Sequence, residues 1–457
     1  MNLDSFSKKT ILVFTFLVLA SLVFASSTLS IFKPQTLNLE SLLFILFGMI
    51  LIGIAFNHKN AFYFSVFGAL VILGFKEWMN PEFRLIEHIF GENNLLDQIV
   101  SKELRQGEWP IILNLFGLLL GFAILARFFE DSGLPDYIPN FLPGGWQGPF
   151  ILLVFVFIMS TFLDNIAAAL VGGTLALVVF RRNVHIGYIA AIVAASNAGG
   201  AGSVVGDTTT TMMWIDGVKA INVLHAFIAS GIALLIFGWF ASHQQHKFHP
   251  MVKGEENVDH YRIRWTNMIA VVTILIGAIL ANILFDMPAF GVWVAILVSA
   301  VYTKVPWIEI KHNMKGTIFL LGLIFSASLM PVSELPQASW STAFILGVVS
   351  AFFDNIPLTK LCLDQGHYDW GILAYAVGFG GSMMWFGSSA GVAITNRFNE
   401  ARNLKLWIKN GWHILIAYVI GFFFLLLIMG WNPTDNNKHK VNNCPVPECP
   451  FAAKTQP

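Results

Sequence analysis

Charge is scarce in this chain: Asp, Glu, Lys and Arg together make up 12% of 457 residues and cancel to a formal net charge of zero. Soluble domains carry about twice that share, and a neutral balance offers no basic face for nucleic acid. Cysteine is scarcer still, at three residues, which excludes a disulfide-built scaffold. Only Cys444 and Cys449, in "NNCPVPECP", stand close together; they pair if their compartment oxidises thiols and stay free in a tail otherwise. Cys362 reads as a small apolar residue. Alternating segments of about 10 residues are also missing, which excludes a transmembrane β-barrel.

Apolar residues are what the chain has in abundance, 56% of it, with 42 Phe and 14 Trp and a mean hydropathy of +0.67. No soluble core encloses that much, so the sequence specifies an all-α polytopic membrane protein. Uninterrupted spanning helices are predicted near 11–32, 41–56, 61–75, 111–129, 221–242, 265–285, 288–303, 317–332 and 408–430, each near the roughly 20 residues a bilayer needs. Four further apolar regions are broken. Residues 146–180 are interrupted by "LDN" at 163–165 and 343–366 by "FDN" at 353–355. Residues 186–215 are interrupted by "SNAGGAGSVVGD" at 196–207 and 371–396 by "GFGGSMMWFGSS" at 378–389.

The order is the same twice, an Asp-Asn break and then a double-glycine break. "DNIAAAL" from Asp164 answers "DNIPLTK" from Asp354, and "GGAGSVVGD" from Gly199 answers "GGSMMWFGS" from Gly380. Gly199, Gly200 and Gly206 thus correspond to Gly380, Gly381 and Gly387. If each Asp-Asn segment is a re-entrant hairpin and each glycine segment one interrupted crossing, the total is about eleven crossings plus two hairpins. With the amino terminus inside, Lys8, Lys9, Lys59, Arg127, Arg181, Arg182, Lys247, Lys253, Arg262, Arg264, Lys304, Lys311, Lys315, Arg397, Arg402, Lys405 and Lys409 fall on the cytoplasmic side, 17 of the 27 Lys and Arg. The first hairpin then opens from the cytoplasm and the second from outside, so the repeats are inverted. Inverted repeats with broken helices are the mark of a secondary transporter whose site lies near the midplane. The expected division is an N-terminal helix over 1–40, a first repeat over 41–242, a cytoplasmic linker over 243–264, a second repeat over 265–431 and an outer tail over 432–457.

Residues 1–25 fit either a cleaved leader or an uncleaved first helix, and the second is the reading taken. His243, His246, His249 and His260 crowd the linker without a compact metal spacing and read as a solvated polar loop.

Asp164, Asp207 and Asp354 lie deep in the breaks. Each precedes a resumed helix and can cap it, which is worth about 1 kcal/mol and which Ser or Asn does nearly as well. A membrane-centre Asp costs about 2.5–3.5 kcal/mol even on the lenient insertion scale, so capping alone does not account for three. A carboxylate withdrawn from water favours its neutral form, and a bound cation favours the charged one, so one group can hold either a proton or a metal ion. Mutually exclusive occupancy is antiport. Sodium takes oxygen ligands: carboxylates of the three acids, amides of Asn165, Asn355 and Asn197, hydroxyls of Thr208, Thr209 and Ser388, and carbonyls of the broken helices. Thr208 to Thr211 surround a full helical turn, so one or two face the site and the others satisfy nearby backbone carbonyls. Asp216, after the threonines, is expected to be solvated at the outer surface.

At these residues a resemblance enters. "SNAGGAGSVVGDTTTTMMW", "FFDNIPL", "GFGGSMMWFGSSAGVA" and "LWIKNGWHILIAYVIGF" resemble NhaD-type sodium/proton antiporters of the ion transporter superfamily, which also holds arsenite and di- and tricarboxylate carriers. The likeness runs from about residue 146 to 431. It implies two inverted five-helix repeats, a homodimer in a bacterial inner membrane, and exchange of sodium or lithium for protons without a cofactor. It carries Asp164, Asn165, Asp207, Thr208, Thr209, Asp354, Asn355, Gly380, Gly381 and Ser388 over as site positions.

Two features depart from that pattern. Lys360 stands in the second hairpin arm, where its charge could partly neutralise Asp354, but it is four residues before Asp364 and a helical pair near the hairpin mouth is the more local explanation. The connection at 366–371 is short. Two rivals have other chemistry. A di- or tricarboxylate carrier would explain "SNA" at Ser196 to Ala198, but a carboxylate substrate is repelled by Asp at both hairpin tips unless one partner is protonated; citrate bound as a metal complex, or arsenite carried as a neutral acid, would evade that repulsion. An intramembrane aspartyl protease would use two acids, but "VVGD" lacks the first glycine of its Gly-x-Gly-Asp motif, and a third acid has no role in it.

Overall fold

The computed structural model describes residues 41–57, 60–250 and 263–435. The expected helix at 11–32, the segment with Lys253, His260 and Arg262, and the tail with Cys444 and Cys449 lie outside the described residues. Among those described, every regular element is helical. Five helices are long and apolar enough to cross a membrane, by length and composition. The chain is a polytopic membrane protein.

Six helices pack side by side as a frame: α1 (Ser41–Phe56), α2 (Ala61–Met79), α5 (Trp109–Asp131), α13 (Trp265–Phe285), α14 (Pro288–Ser299) and α15 (Ile308–Ser328). The loop before α5 holds two short helices, α3 (Leu85–Phe90) and α4 (Leu95–Val100). A short α6 (Leu134–Phe141) comes after α5. The apolar side chains of α13 that point away from the frame, such as Ile276, Leu280 and Ile283, are exposed, as a surface solvated by lipid requires. Helix α15 begins at Ile308, well before the expected 317, because Glu309, Asn313 and Thr317 continue it as a polar stripe at helical spacing.

The second group holds the breaks. Helices α7 (Gln147–Met159) and α8 (Asn165–Val179) meet at Asp164, and α9 (Ile186–Ala201) and α10 (Thr208–Ile215) meet across residues 202–207. After α11 (Ala220–Leu224) and the long α12 (Ala226–Phe248), the pattern returns. Helices α16 (Trp340–Ser350) and α17 (Asn355–Gln365) meet at Asp354, and α18 (Trp370–Gly380) and α19 (Ser389–Arg397) meet across residues 381–388. Helix α20 (Leu404–Met429) packs along α12. The short 366–371 connection is closed by two residues at positive φ, Gly366 at 75° and His367 at 61°.

Contacts among loops and the ends of helices define two ends. At one, the Arg264 amide bonds the Ser132 carbonyl, Arg397 reaches Thr174, the His185 amide reaches Gln245, and Lys315 lies over the Phe62 ring. We call this the basic end. At the other, Arg105 bonds the Phe285 carbonyl, Gln365 the Pro336 carbonyl and Trp370 the Thr434 carbonyl. Trp146, ahead of α7, packs on Trp239 and His243 at the basic end, where α8 also finishes beside Arg181. The linker histidines are therefore not simply a solvated loop: His243 is stacked on an indole, while His246 and His249 belong to no metal-holding group among the described residues.

Candidate functional site

Three acids cap the resumed helices. Asp164 Oδ2 accepts from the Ile166 amide at 3.2 Å, Asp207 Oδ1 from the Thr209 amide at 3.3 Å, and Asp354 Oδ1 from the Ile356 amide at 3.1 Å. Ser388 does the same for α19, accepting from the Gly391 amide at 3.2 Å. Serine here stands where the first half has Asp207, so the two breaks differ by one carboxylate.

Glycine makes the breaks fit together. A Cβ on Gly199 would lie 2.1 Å from the Phe157 carbonyl oxygen, and one on Gly206 2.1 Å from that of Ser160. The counterparts repeat the contact, Gly380 at 2.2 Å from the Gly347 carbonyl and Gly387 at 2.4 Å from that of Ala351. Gly200 and Gly381 meet the carbonyls of Gly206 and Gly387, each at 2.8 Å. A hairpin and the break beside it thus press backbone on backbone, which only a residue without a side chain allows.

Asparagine joins the halves. Asn197, fully buried, accepts from Asn165 Nδ2 at 3.2 Å and donates to Ser382 Oγ at 3.0 Å and Ser388 Oγ at 3.1 Å. Asn355 Nδ2 donates to Asp207 Oδ2 at 3.3 Å. Ser389 donates to Asp354 Oδ2 at 2.9 Å. The candidate residues therefore form two linked sets, Asn165–Asn197–Ser388 and Asp207–Asn355, each crossing from one half of the chain to the other. Ser382 and Ser389 were missed by sequence reasoning. Ser389 had a legible signal, since it occupies the place of Thr208 in the repeat.

The threonines divide as expected. Thr210 donates to the carbonyls of Ser203 and Asp207, and Thr211 to those of Val204 and Asp207. Thr208 lines a cavity, and Thr211 lines it too while keeping its carbonyl bonds. Asp216 does not behave as expected: it is buried, 6% exposed. The chain turns at Gly217 (φ 91°) and packs α11 against α18, which encloses this end of the break instead of opening it to water.

Two cavities reach the acids along the boundary between frame and second group. The first, about 290 Å³, has Asp164, Asp207 and Thr208 on one wall and α5 and α15 on the other, and runs to Arg127, Glu130 and Glu309 at the basic end. The second, about 260 Å³, holds Asp354, Ser388 and Ser389 and runs to Ala61 and Asn396, again at the basic end. Ile166 lines both. Glu130, Glu309 and Asn313 are further residues that sequence reading did not single out.

Lys360 is displaced from its expected place. Instead of standing at a mouth it is fully buried, paired with Asp364 as the spacing predicted, and also 2.9 Å from Glu108 Oε2. Glu108 lies 252 positions earlier in the chain, and no local pattern announced it.

Comparison with known proteins finds relatives of this chain. The citrate transporter family matches residues 95–380. Among curated proteins, sodium/proton antiporter 1 of Arabidopsis thaliana is 28% identical over 284 residues, covering 52% of this chain and 48% of that protein. Sodium/proton antiporter 2 of the same plant is 25% identical over 350 residues, 65% of this chain and 80% of that one. The Na(+)/H(+) antiporter NhaD of Vibrio parahaemolyticus is 24% identical over 341 residues, 60% of this chain and 81% of that one. The chain spans about half the length of the first of these relatives. The family match covers well over half of the chain, and this protein belongs to the citrate transporter family.

Proposed function

We propose that the protein exchanges sodium or lithium for protons, with Asp164, Asp207 and Asp354 taking cation and proton in turn. The observation that carries this reading is the sign of the site. Three carboxylates face the two cavities, and Arg127, at the mouth of one, is the only basic side chain among the described lining residues. A cation entering there meets carboxylates already oriented by amide donors, plus hydroxyls of Thr208, Ser388 and Ser389. Asn165, Asn197 and Asn355 hold these groups in register. The relatives named as sodium/proton antiporters support the same reading.

The two halves act as inverted repeats. The first hairpin starts and ends at the basic end, the second at the opposite end, and the broken helices cross in opposite senses. About eleven crossings and two hairpins, a homodimer, and a bacterial inner membrane with the amino terminus cytoplasmic complete the reading; the charge distribution supports the orientation and the NhaD resemblance the assembly. The basic end is then cytoplasmic.

The family's description favours a second reading, citrate transport. The cavities do not exclude it by size, but an anion beside three acids is repelled unless it arrives neutralised. A pH-gradient assay in everted vesicles decides between them. Sodium or lithium should dissipate the gradient, with potassium and citrate inert. The half-saturating sodium concentration should rise as pH falls, by about tenfold per unit in the limit of one proton displaced per ion. Dissipation by citrate and not by sodium would replace this proposal with the carrier reading.

A further inference from the structure

A fully buried lysine is costly in a membrane protein and is kept only where it has partners and a task. The ammonium of Lys360 has two partners, Asp364 one turn along α17 and Glu108 at 2.9 Å. These belong to different bodies. Lys360 and Asp364 ride on the return arm of the second hairpin, whereas Glu108 is the residue that opens frame helix α5. The ion cluster is thus a tie across the boundary along which both cavities lie.

Its position on that boundary is informative. Both cavities run from the acids to the basic end. Glu108 stands at the far end of α5 from Arg127, and α17 climbs from Asn355, beside Asp207, to Gln365, which bonds the Pro336 carbonyl at the opposite end. On one side of the acids the boundary holds two cavities, and on the other Lys360 bridges it, buried with Glu108. An apolar contact would close it too, and would stabilise at least as well. Charged groups differ in that water can take them up again once the bodies separate, so an ion tie opens at lower cost than its burial suggests.

We propose that Glu108, Lys360 and Asp364 close the ion path on the face opposite the cavities, holding the hairpin arm to the frame while the acids face the basic end and releasing it when they face the other. Lys360 is a positioning residue in this scheme: it touches no transported ion and sets which face the acids meet. The proposal rests on the transport reading, because a closure has meaning only in a molecule that opens to both sides. Its test reads accessibility, which does not depend on the ion.

The reporter is Gly316→Cys on the wall of the first cavity, where an added Cβ meets nothing within 4 Å. Cys444 and Cys449 are replaced by Ser in the full chain. In everted vesicles a membrane-impermeant maleimide should label this cysteine readily. Glu108→Gln and Lys360→Met should each slow labelling at least threefold by releasing the arm, while Lys360→Arg should restore the parental rate. Parental labelling in both charge-removing variants, at matched membrane insertion, overturns the proposal. Should either variant fail to insert, a second arm decides. With Glu108→Cys and Lys360→Cys together, a short reducible thiol cross-linker should stop ion movement in proteoliposomes, and reductant should restore it. Undiminished movement in the cross-linked protein overturns the proposal. If no cation drives exchange in the parent at all, the functional reading fails, while the labelling result still judges the closure.

Discussion

Removing the Asn197 side chain separates positioning from ligation. The amide holds three hydrogen bonds at zero exposure, one accepted from Asn165 and two donated to serines of the other half. A net hydrogen bond is worth about 0.5–1.5 kcal/mol, and a buried group left without its partner costs about 1–3 kcal/mol. Asn197→Ala removes all three bonds, so a destabilisation of roughly 3 kcal/mol is expected. Asn165→Ala removes one and should cost about 1 kcal/mol. Loosening Ser388 should also weaken cation binding, and a loss of about 1.4 kcal/mol is tenfold in the half-saturating concentration. Sodium-driven gradient dissipation at matched protein level reads the second effect, and thermal inactivation in detergent the first. Because both substitutions break the same bond, the double variant should cost less than the sum of the singles. Asn197→Ala with half-saturating sodium within twofold of the parent would refute the reasoning that this bridge positions the site.

The same geometry gives three more outcomes. Gly199→Ala and Gly380→Ala place a methyl 2.1 Å and 2.2 Å from carbonyl oxygens and should abolish folded, inserted protein, whereas Gly231→Ala meets nothing within 4 Å and should express like the parent. Thr210→Val breaks bonds to the Ser203 and Asp207 carbonyls and should lower thermal stability by about 1 kcal/mol without moving sodium half-saturation, while Thr208→Val should raise half-saturation with little effect on stability. Cysteines within 181–185 should label only from the cytoplasm and cysteines within 366–370 only from outside; both labelling from one face would remove the inverted arrangement.

What was legible in the sequence was local. An Asp-Asn pair inside an apolar run announces a helix restart, since the acid caps the resumed helix, and Asp164 and Asp354 do so. The double glycines were read as helix breaks, but α9 runs through Gly199 and Gly200 to Ala201 and α18 through Gly380; these glycines serve close backbone contact, which the sequence did not announce. The pairing of Lys360 with Asp364 was legible because helical neighbours four apart share a face. Glu108 was not, because its partner is fixed by how the start of α5 approaches the second hairpin. Asp216 was misread for a related reason: a carboxylate after an apolar segment looks solvated until Gly217 turns the chain back over that end. Which serine meets which asparagine, as in Asn197 with Ser382, depends on the approach of two halves that no single stretch specifies.

The central claim is that the buried acids are there for the ion and not for the helix ends. Asparagine can keep the capping oxygen that Asp164 offers the Ile166 amide and Asp354 the Ile356 amide, while removing the charge and the exchangeable proton. Asp97→Asn, at an exposed acid of the loop before α5, serves as the control. The measurement is dissipation of a pH gradient by sodium in everted vesicles, scanned across pH at matched protein level. Asp164→Asn and Asp354→Asn should insert and fold like the parent yet give no exchange at any pH, and Asp97→Asn should exchange normally. Parental rates with an unshifted pH profile in both hairpin variants would mean that these carboxylates are caps and nothing more.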